Sequence, residues 1–358
     1  MTRIAIEKWE TEHRRHVKAF LAEIDMLYDE AIDELVRIGI GYNFNDLSGK
    51  PFKFTMDRVR ESEAKSVIDT FRNKLNAIIT VGVTTEWAFA NEKNDSWLKK
   101  LLTNPSDVHM QHNLNALDAF LNRKIYGHKL SSRVWNYTKQ FEEFMEMSLS
   151  VNLTEGRSAA SISRDVRSQL KCPDKLFRRV RDKYGNLQLS KNARAFHPGQ
   201  GVYRSSYQNA MRMARTEING AYRQSDYERW QQLDFIVGIE VKVSKSHEAW
   251  LAKEYYPRFK KGVVPPKEIC DALAGRYPKD FKFIGWHPNC KCYAVPILAN
   301  EGTGKDWWEA PDNAIDTTPP IFDRWMQDNK ERIDRALERG KAPYWVVENE
   351  KYTLKEEK

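Results

Sequence analysis

The first 170 residues keep a helical hydrophobic period almost without interruption, and this rhythm restricts the fold more than any single motif. Phe20, Ile24, Leu27, Ile32 and Leu35 recur at three- to five-residue spacing with charged residues between them, the pattern of a helix with one buried face. It predicts a helix over 7–38. A Gly- and Asn-rich stretch at 39–52 reads as a loop. A second helix is predicted over 56–79, with Val59, Val67, Ile68, Phe71 and Leu75 on its apolar side, and further helices over 84–102 and 111–121. Residues 131–170 are helical again and carry Trp135, Phe141, Phe144 and Met147. A fresh helix starts near Ser158, where Ser158, Ser161 or Ser163 can cap it. Such an array suits scaffolding or docking better than catalysis.

From Lys171 the character changes. Between 171 and 194 stand eight basic residues, Lys171, Lys175, Arg178, Arg179, Arg181, Lys183, Lys191 and Arg194, against Asp174 and Asp182. Within this stretch RDKYGNLQLS reads as a short hairpin turning on Gly185 and Asn186. Lys175, Arg178, Arg179, Arg181 and Lys183 are the candidate contacts to double-stranded DNA or to an acidic protein surface. Few aromatics are interleaved (Phe177, Tyr184), so such contact is expected without sequence selection. A solvated loop is the plainer alternative.

The best helix in the chain follows, over 203–233, with Tyr207, Met211, Ala214, Ile218, Ala221 and Trp230 along one side. Strand-like runs come after it: DFIVGIEVKVS at 234–244, FKFIGW at 281–286 and CKCYAVPIL at 290–298. The expected class is α+β, with a mainly α-helical N-terminal half and a C-terminal long helix carrying a small antiparallel sheet. In chain order this gives a helical region 1–170, a basic linker or hairpin 171–200, an α+β domain 201–300 and a C-terminal linker, helix and tail 301–358. In the last segment GTGKDWWEAPDNAIDTTPP is the linker, 322–339 a helix and PYWVVENEKYTL a candidate terminal strand.

A chain of 358 residues is long enough for two domains. Its formal charge of +8 and pI near 9.1 suit an acidic partner. No apolar run approaches the roughly 20 residues of a membrane span. The opening MTRIAIEKWETEHRRH has no signal-peptide character, so a cytoplasmic site of synthesis and function is expected. Four cysteines are too few for a disulfide scaffold.

Three of those cysteines fall in CDALAGRYPKDFKFIGWHPNCKC, residues 270–292. Neighbouring cysteines in C-x-C rarely bridge each other, because the ring is strained. A catalytic thiol needs a base and an orienting group, and nothing marks one sulfur as nucleophile. Zinc needs four Cys or His ligands gathered by a tight turn. Cys270, His287, Cys290 and Cys292 supply them, with His247 as a further or substitute ligand. On a strand Cys290 and Cys292 face the same side. Equally, the cysteines serve as small buried hydrophobes while His287 bonds the turn. The spacing leaves both readings open.

The ordered set MARTEINGAYRQSDYERW (213–230), KSHEAW, CDALAGRYP and GWHPNCKCYAVPIL resembles the phage Mu F-like head morphogenesis family of minor head proteins. The resemblance covers about 200–298 and rests on an A-R-T-E helix, a C-x-x-L-x-G segment and a closing H-P-x-C-R-C. Arg215, Thr216, Glu217, Gly275 and Pro288 fall on its motif positions. Lys291 replaces the usual arginine, and Lys267 stands where many relatives have a further cysteine. GRSAASISRDVRSQL is similar to the family's connector. The resemblance implies a structural virion protein inside the capsid, associated with the portal, with possible contact to major capsid or scaffold protein, and assisting head assembly, DNA packaging or ejection. Assembly would take place in the bacterial cytoplasm. Zinc is the cofactor implied by the cysteine–histidine window. The competing expectation is a head-carried enzyme, a zinc nuclease or an ADP-ribosyltransferase. It is weakened by the lack of a complete catalytic set. Arg215 and Glu217 lie two residues apart on a helix and point in different directions. Each is expected to tie the helix to the sheet or to the HPNCKC turn.

Overall fold

The computed structural model describes residues 3–42, 51–154, 156–173, 180–181, 187–188, 205–259, 267–306 and 309–354. The fold is α+β and mostly helical, with a small three-stranded antiparallel sheet. Its elements are α1 (Arg3–Ile40), α2 (Arg58–Leu101), α3 (Leu114–Asn122), α4 (Leu130–Thr154), α5 (Ala159–Lys171), β1 (Val180–Arg181), β2 (Leu187–Gln188) and α6 (Ser206–Gln231). There follow β3 (Ile236–Lys242), α7 (Lys245–Trp250), α8 (Ile269–Ala272), β4 (Gly275–Tyr277), β5 (Tyr293–Leu298), α9 (Pro320–Asp328), α10 (Lys330–Glu338), α11 (Tyr344–Glu348) and α12 (Glu350–Thr353). Among the described residues no helix is long and apolar enough to cross a membrane.

Two compact units emerge, and they cut across the consecutive segments expected from the sequence. One is built from 1–17, 82–122 and 215–358, the other from 18–81 and 123–214. Helices α1, α2 and α6 therefore each give a stretch to both units. In the second unit most of the predicted stripe is core, and Tyr28, which the sequence did not single out, packs edge-on against Phe71 and Phe141, with ring centroids 4.7 and 5.1 Å apart; Val59, expected on the apolar side of α2, is exposed. Arg167 of α5 bonds Asp29 and Asp33 of α1, and Lys171 pairs with Asp25 at 2.7 Å. Ser158 is the cap of α5, accepting from the Ser161 N–H. The β1–β2 hairpin forms where expected, Val180 opposite Gln188. Its turn, and the candidate contacts Lys175, Arg178, Arg179 and Lys183, lie outside the described residues; of Arg181 only the backbone strand is described.

In the first unit β3 is the central strand, flanked by β4 and β5 in the order β4-β3-β5. Phe281, Phe283, Trp286, Phe322 and Trp345 gather with the apolar side chains of the sheet into one buried cluster. Four expectations are corrected here. FKFIGW is not a strand; Gly275–Tyr277 takes the third place in the sheet. The run is apolar because Phe281, Phe283 and Trp286 are all buried in the aromatic cluster, not because they alternate across a sheet. PYWVVENEKYTL is helical: Trp345, Asn349 and Tyr352 are buried at a three- to four-residue period, which its β-branched valines mask. The break expected between 79 and 84 is absent, because α2 runs through Gly82; Ile79 and Val83 are wholly buried on either side, and packing overrides the weak propensity of a single glycine. The boundary between the units nevertheless falls there, at 81/82. The helix expected over 322–339 is two, α9 and α10, meeting at Asn329.

Candidate metal centre

Sheet register explains why residues twenty apart meet. Strands β4 and β5 both run antiparallel to β3, with Gly275 opposite Val241 and Tyr293 opposite Lys242. The entrances to β4 and β5 therefore lie at the same end as the exit from β3. Cys270 precedes β4, the HPNCKC segment precedes β5, and His247 follows β3 on α7. The two motif segments flank β3 and do not pair with each other. Cys290 and Cys292 sit just ahead of β5, not on it.

Short caps hold these pieces. Ser244 Oγ accepts from the His247 N–H at 3.2 Å, and Glu268 Oε2 accepts from the Cys270 N–H at 2.8 Å. At the other side the Cys290 N–H returns to the His287 carbonyl at 3.0 Å, with Asn289 at φ +67°, a conformation asparagine tolerates. Gly285 adopts φ +129°, and a Cβ there would come within 2.7 Å of Arg223 Nη1. Only glycine fits.

Helix α6 grips this turn. Arg215 Nη1 donates to Asn289 Oδ1 at 3.1 Å, as the sequence led us to expect. Two turns further along, Arg223 donates from Nη1 to the Ile284 carbonyl at 2.9 Å and from Nη2 to the Cys290 carbonyl at 2.7 Å. The sequence reading missed Arg223. The available signal was its spacing: residues eight apart on a helix share a face. Glu217 is buried and Thr216 partly exposed on the same helix. Gly275 opens β4, and the Pro288 carbonyl accepts from His287.

Cys270, Cys290 and Cys292 are all buried, and their sulfurs lie within 4.8 Å of one another. Cys270 Sγ stands 3.7 Å from Cys290 Sγ and 3.1 Å from His287 Nε2. Around a tetrahedral zinc with ordinary bond lengths two sulfurs are roughly 3.8 Å apart, and a sulfur and a nitrogen roughly 3.6 Å. The separations fit, with His287 slightly closer than a bound ion would leave it. The proton of His287 is also placed: Nδ1 lies 2.7 Å from the Pro288 carbonyl, which can only accept, so Nδ1 carries the hydrogen. Nε2 then presents its lone pair to Cys270 Sγ, the arrangement of a metal-ligating histidine. His247, Glu268 and Cys270 also bring ligand atoms within 4.8 Å of one another. His247 Nε2 faces Asp271 Oδ2 at 3.4 Å and Glu268 Oε2 at 3.7 Å, and Glu268 Oε1 lies 3.3 Å from His287 Nε2. Lys267 is exposed.

Three thiols packed this closely do not titrate alone. Burial opposes the anion at Cys290, but the sulfhydryls of Cys270 and Cys292 bond to it, with the Arg223 charge beside them, and its thiol falls well below the usual range. Cys270 is pushed up by its bonds to Cys290 and Cys292 and by burial. Without metal the cluster holds protons around one thiolate; a divalent cation replaces those protons. Three buried sulfurs with the His287 Nε2 beside Cys270 are a donor set suited to zinc. No protein family, curated protein or solved structure matches this chain.

Proposed function

We propose that the chain is a structural minor head protein of the phage Mu F-like kind, and that Cys270, His287, Cys290 and Cys292 hold a zinc ion that fastens its α+β unit. One observation carries the reading: the motif segments that prompted the resemblance meet at one end of a three-stranded sheet, where three cysteine sulfurs lie within 4.8 Å of one another and His287 Nε2 stands 3.1 Å from Cys270 Sγ. Zinc supplies cross-linking here. It ties α8, the HPNCKC turn and, through Arg223 and Arg215, α6 into one body. His247, Glu268 and Asp271 border the ion and orient its neighbours.

The helical half provides the docking surface for the portal, and the basic stretch around Arg178, Arg179 and Arg181 contacts packaged DNA or an acidic portal face. Support for these roles is the resemblance and the helix-rich, charged first half. The decisive experiment co-expresses the full chain with a candidate cognate portal protein, followed by cross-linking and mass spectrometry. Cross-links from residues of 1–170 to the portal are expected. A chain that never co-purifies with portal or procapsid, yet cleaves DNA or consumes NAD, would replace this reading with that of a head-carried enzyme.

A further inference from the structure

A second polar cluster lies in the same unit, away from the cysteines. Glu10 and His13 of α1, Glu86 and Lys93 of α2, and Asp226 of α6 are each at most 5% exposed. At its centre Glu86 meets two histidines: Oε2 lies 2.5 Å from His13 Nδ1, and Oε1 lies 2.8 Å from His16 Nδ1. His13 Nε2 lies 3.0 Å from Asn219 Oδ1, and the ring stacks on Tyr222 at 4.0 Å. Trp9 and His16 close the outer side against Phe89, at 4.9 and 4.7 Å.

The acceptors place the protons. An amide oxygen can only accept, so His13 carries its hydrogen on Nε2. Nδ1 of a neutral ring is then an acceptor, and Glu86 has to bring the proton between them. The opposite assignment, imidazolium against carboxylate, puts a cation in a dry site faced by Arg223, Lys93 and Arg14, and burial first and those charges second drive His13 well below its ordinary value. We propose that Glu86 is kept as a neutral carboxylic acid that latches residues 3–17 of α1 onto α2 and α6, and that loss of this proton loosens the latch as pH rises. The carboxylate left behind would confront the Nδ1 lone pair at hydrogen-bond distance.

Every charge facing Glu86 bears on the window. From α1 come Glu10, Glu12, His13, Arg14 and His16; from α2, Lys93; from α6, Tyr222, Arg223 and Asp226. Burial pushes Glu86 up to about 8, Glu10 and Glu12 add to it, and Lys93 opposes. A raised carboxyl contributes stability that is lost as pH rises from its unfolded value of 4.5 to about 8. A depressed histidine contributes stability that is lost as pH falls below its unfolded value of 6.5. Between 4.5 and 6.5 the two trends cancel. Above 6.5 Glu86 sets the trend, and with its midpoint at about 8 the opening of the latch rises roughly fifteenfold by pH 8 and levels off roughly thirtyfold up near pH 9.

The test is native-state hydrogen exchange on the full chain at pH 6.5 to 9, corrected for intrinsic rates, alongside the carbon-13 titration of the Glu86 carboxyl. Protection of residues 6–17 should fall roughly fifteenfold between pH 6.5 and 8 and level off roughly thirtyfold down by pH 9. In Glu86→Gln, which carries a fixed donor to His13, protection should stay flat across that range. Should the variant not fold, the wild-type carboxyl shift still decides. A Glu86 carboxyl titrating below pH 6, or protection unchanged from 6.5 to 8, overturns the proposal.

Discussion

Replacing Lys93 with methionine tests how this unit tolerates charge in its interior. Lys93 and Asp226 are 3% and 5% exposed and form a direct ion pair between α2 and α6. Asn94 Nδ2 adds a 2.7 Å bond to the other carboxylate oxygen, and the ammonium also lies 4.2 Å from the Tyr222 ring centre. Methionine keeps the stem's length and packing. What it removes is the charge facing Asp226, which also favours the ionised forms of Glu10 and Glu86 against their burial. Breaking a buried pair by deleting one partner destabilises by about 3–5 kcal/mol. Burial already holds the Asp226 carboxyl above its ordinary value, with Lys93 pulling the other way, so the variant should fold by binding a proton there. A raised carboxyl loses stability as pH rises, and the deficit should therefore be larger at pH 8 than at pH 5, by up to about 1.4 kcal/mol per pH unit within the titration range. Urea unfolding at pH 5, 6.5 and 8, with unchanged m-values, measures it. Adding Asp226→Asn, which keeps an acceptor for Asn94 and removes the charge, should recover most of the loss. A single-variant loss under about 1 kcal/mol at pH 8, or equal losses at pH 5 and 8, would refute the picture of a dry pair.

Three other outcomes follow from the metal centre and the basic stretch. Protein purified without chelator should contain one zinc per chain by mass spectrometry of the metal; chelation should lower the melting temperature, and Cys290→Ser should abolish both the metal and that response. Arg223→Met leaves the Ile284 and Cys290 carbonyls without their donor and should destabilise by about 2–4 kcal/mol, read by urea unfolding, whereas Arg223→Lys should recover part of it. On duplex DNA the log–log salt slope should be roughly −4 to −5 for about five neutralised phosphates, and alanine at Arg178, Arg179 and Arg181 should flatten it; an unchanged slope would make the segment a solvated loop.

Which residues face inward was largely legible where a period repeats. Of the stripe Phe20, Ile24, Leu27, Ile32 and Leu35, the last four are buried as read and Phe20 is half-buried, because a helix turns its apolar face to the core at a spacing fixed by backbone geometry. Strand β3 was readable on the same local grounds, as was a serine cap on α5, which the structure assigns to Ser158 among Ser158, Ser161 and Ser163. Arg215 was readable as a tie to the HPNCKC turn because a charged residue on a buried helix needs a polar partner. The aromatic run 281–286 and the final WVV segment were misread, since short apolar stretches look alike whether they alternate across a sheet or enter a cluster.

Only the tertiary structure decided the rest. That Cys270 and Cys290 stand 3.7 Å apart depends on β4 and β5 flanking β3 from opposite sides with their entrances at one end, a long-range register no local pattern encodes. The buried cluster of Glu10, His13, Glu86, Lys93 and Asp226 was invisible for a related reason. Its members come from three helices far apart in the chain, and each, taken singly, reads as a surface charge on an amphipathic helix. Sequence sets which side chains can be charged or can ligate; packing sets which of them lose their water together, and that loss raises the Glu86 carboxyl, whereas at Cys290 the bonds from the neighbouring thiols work against it.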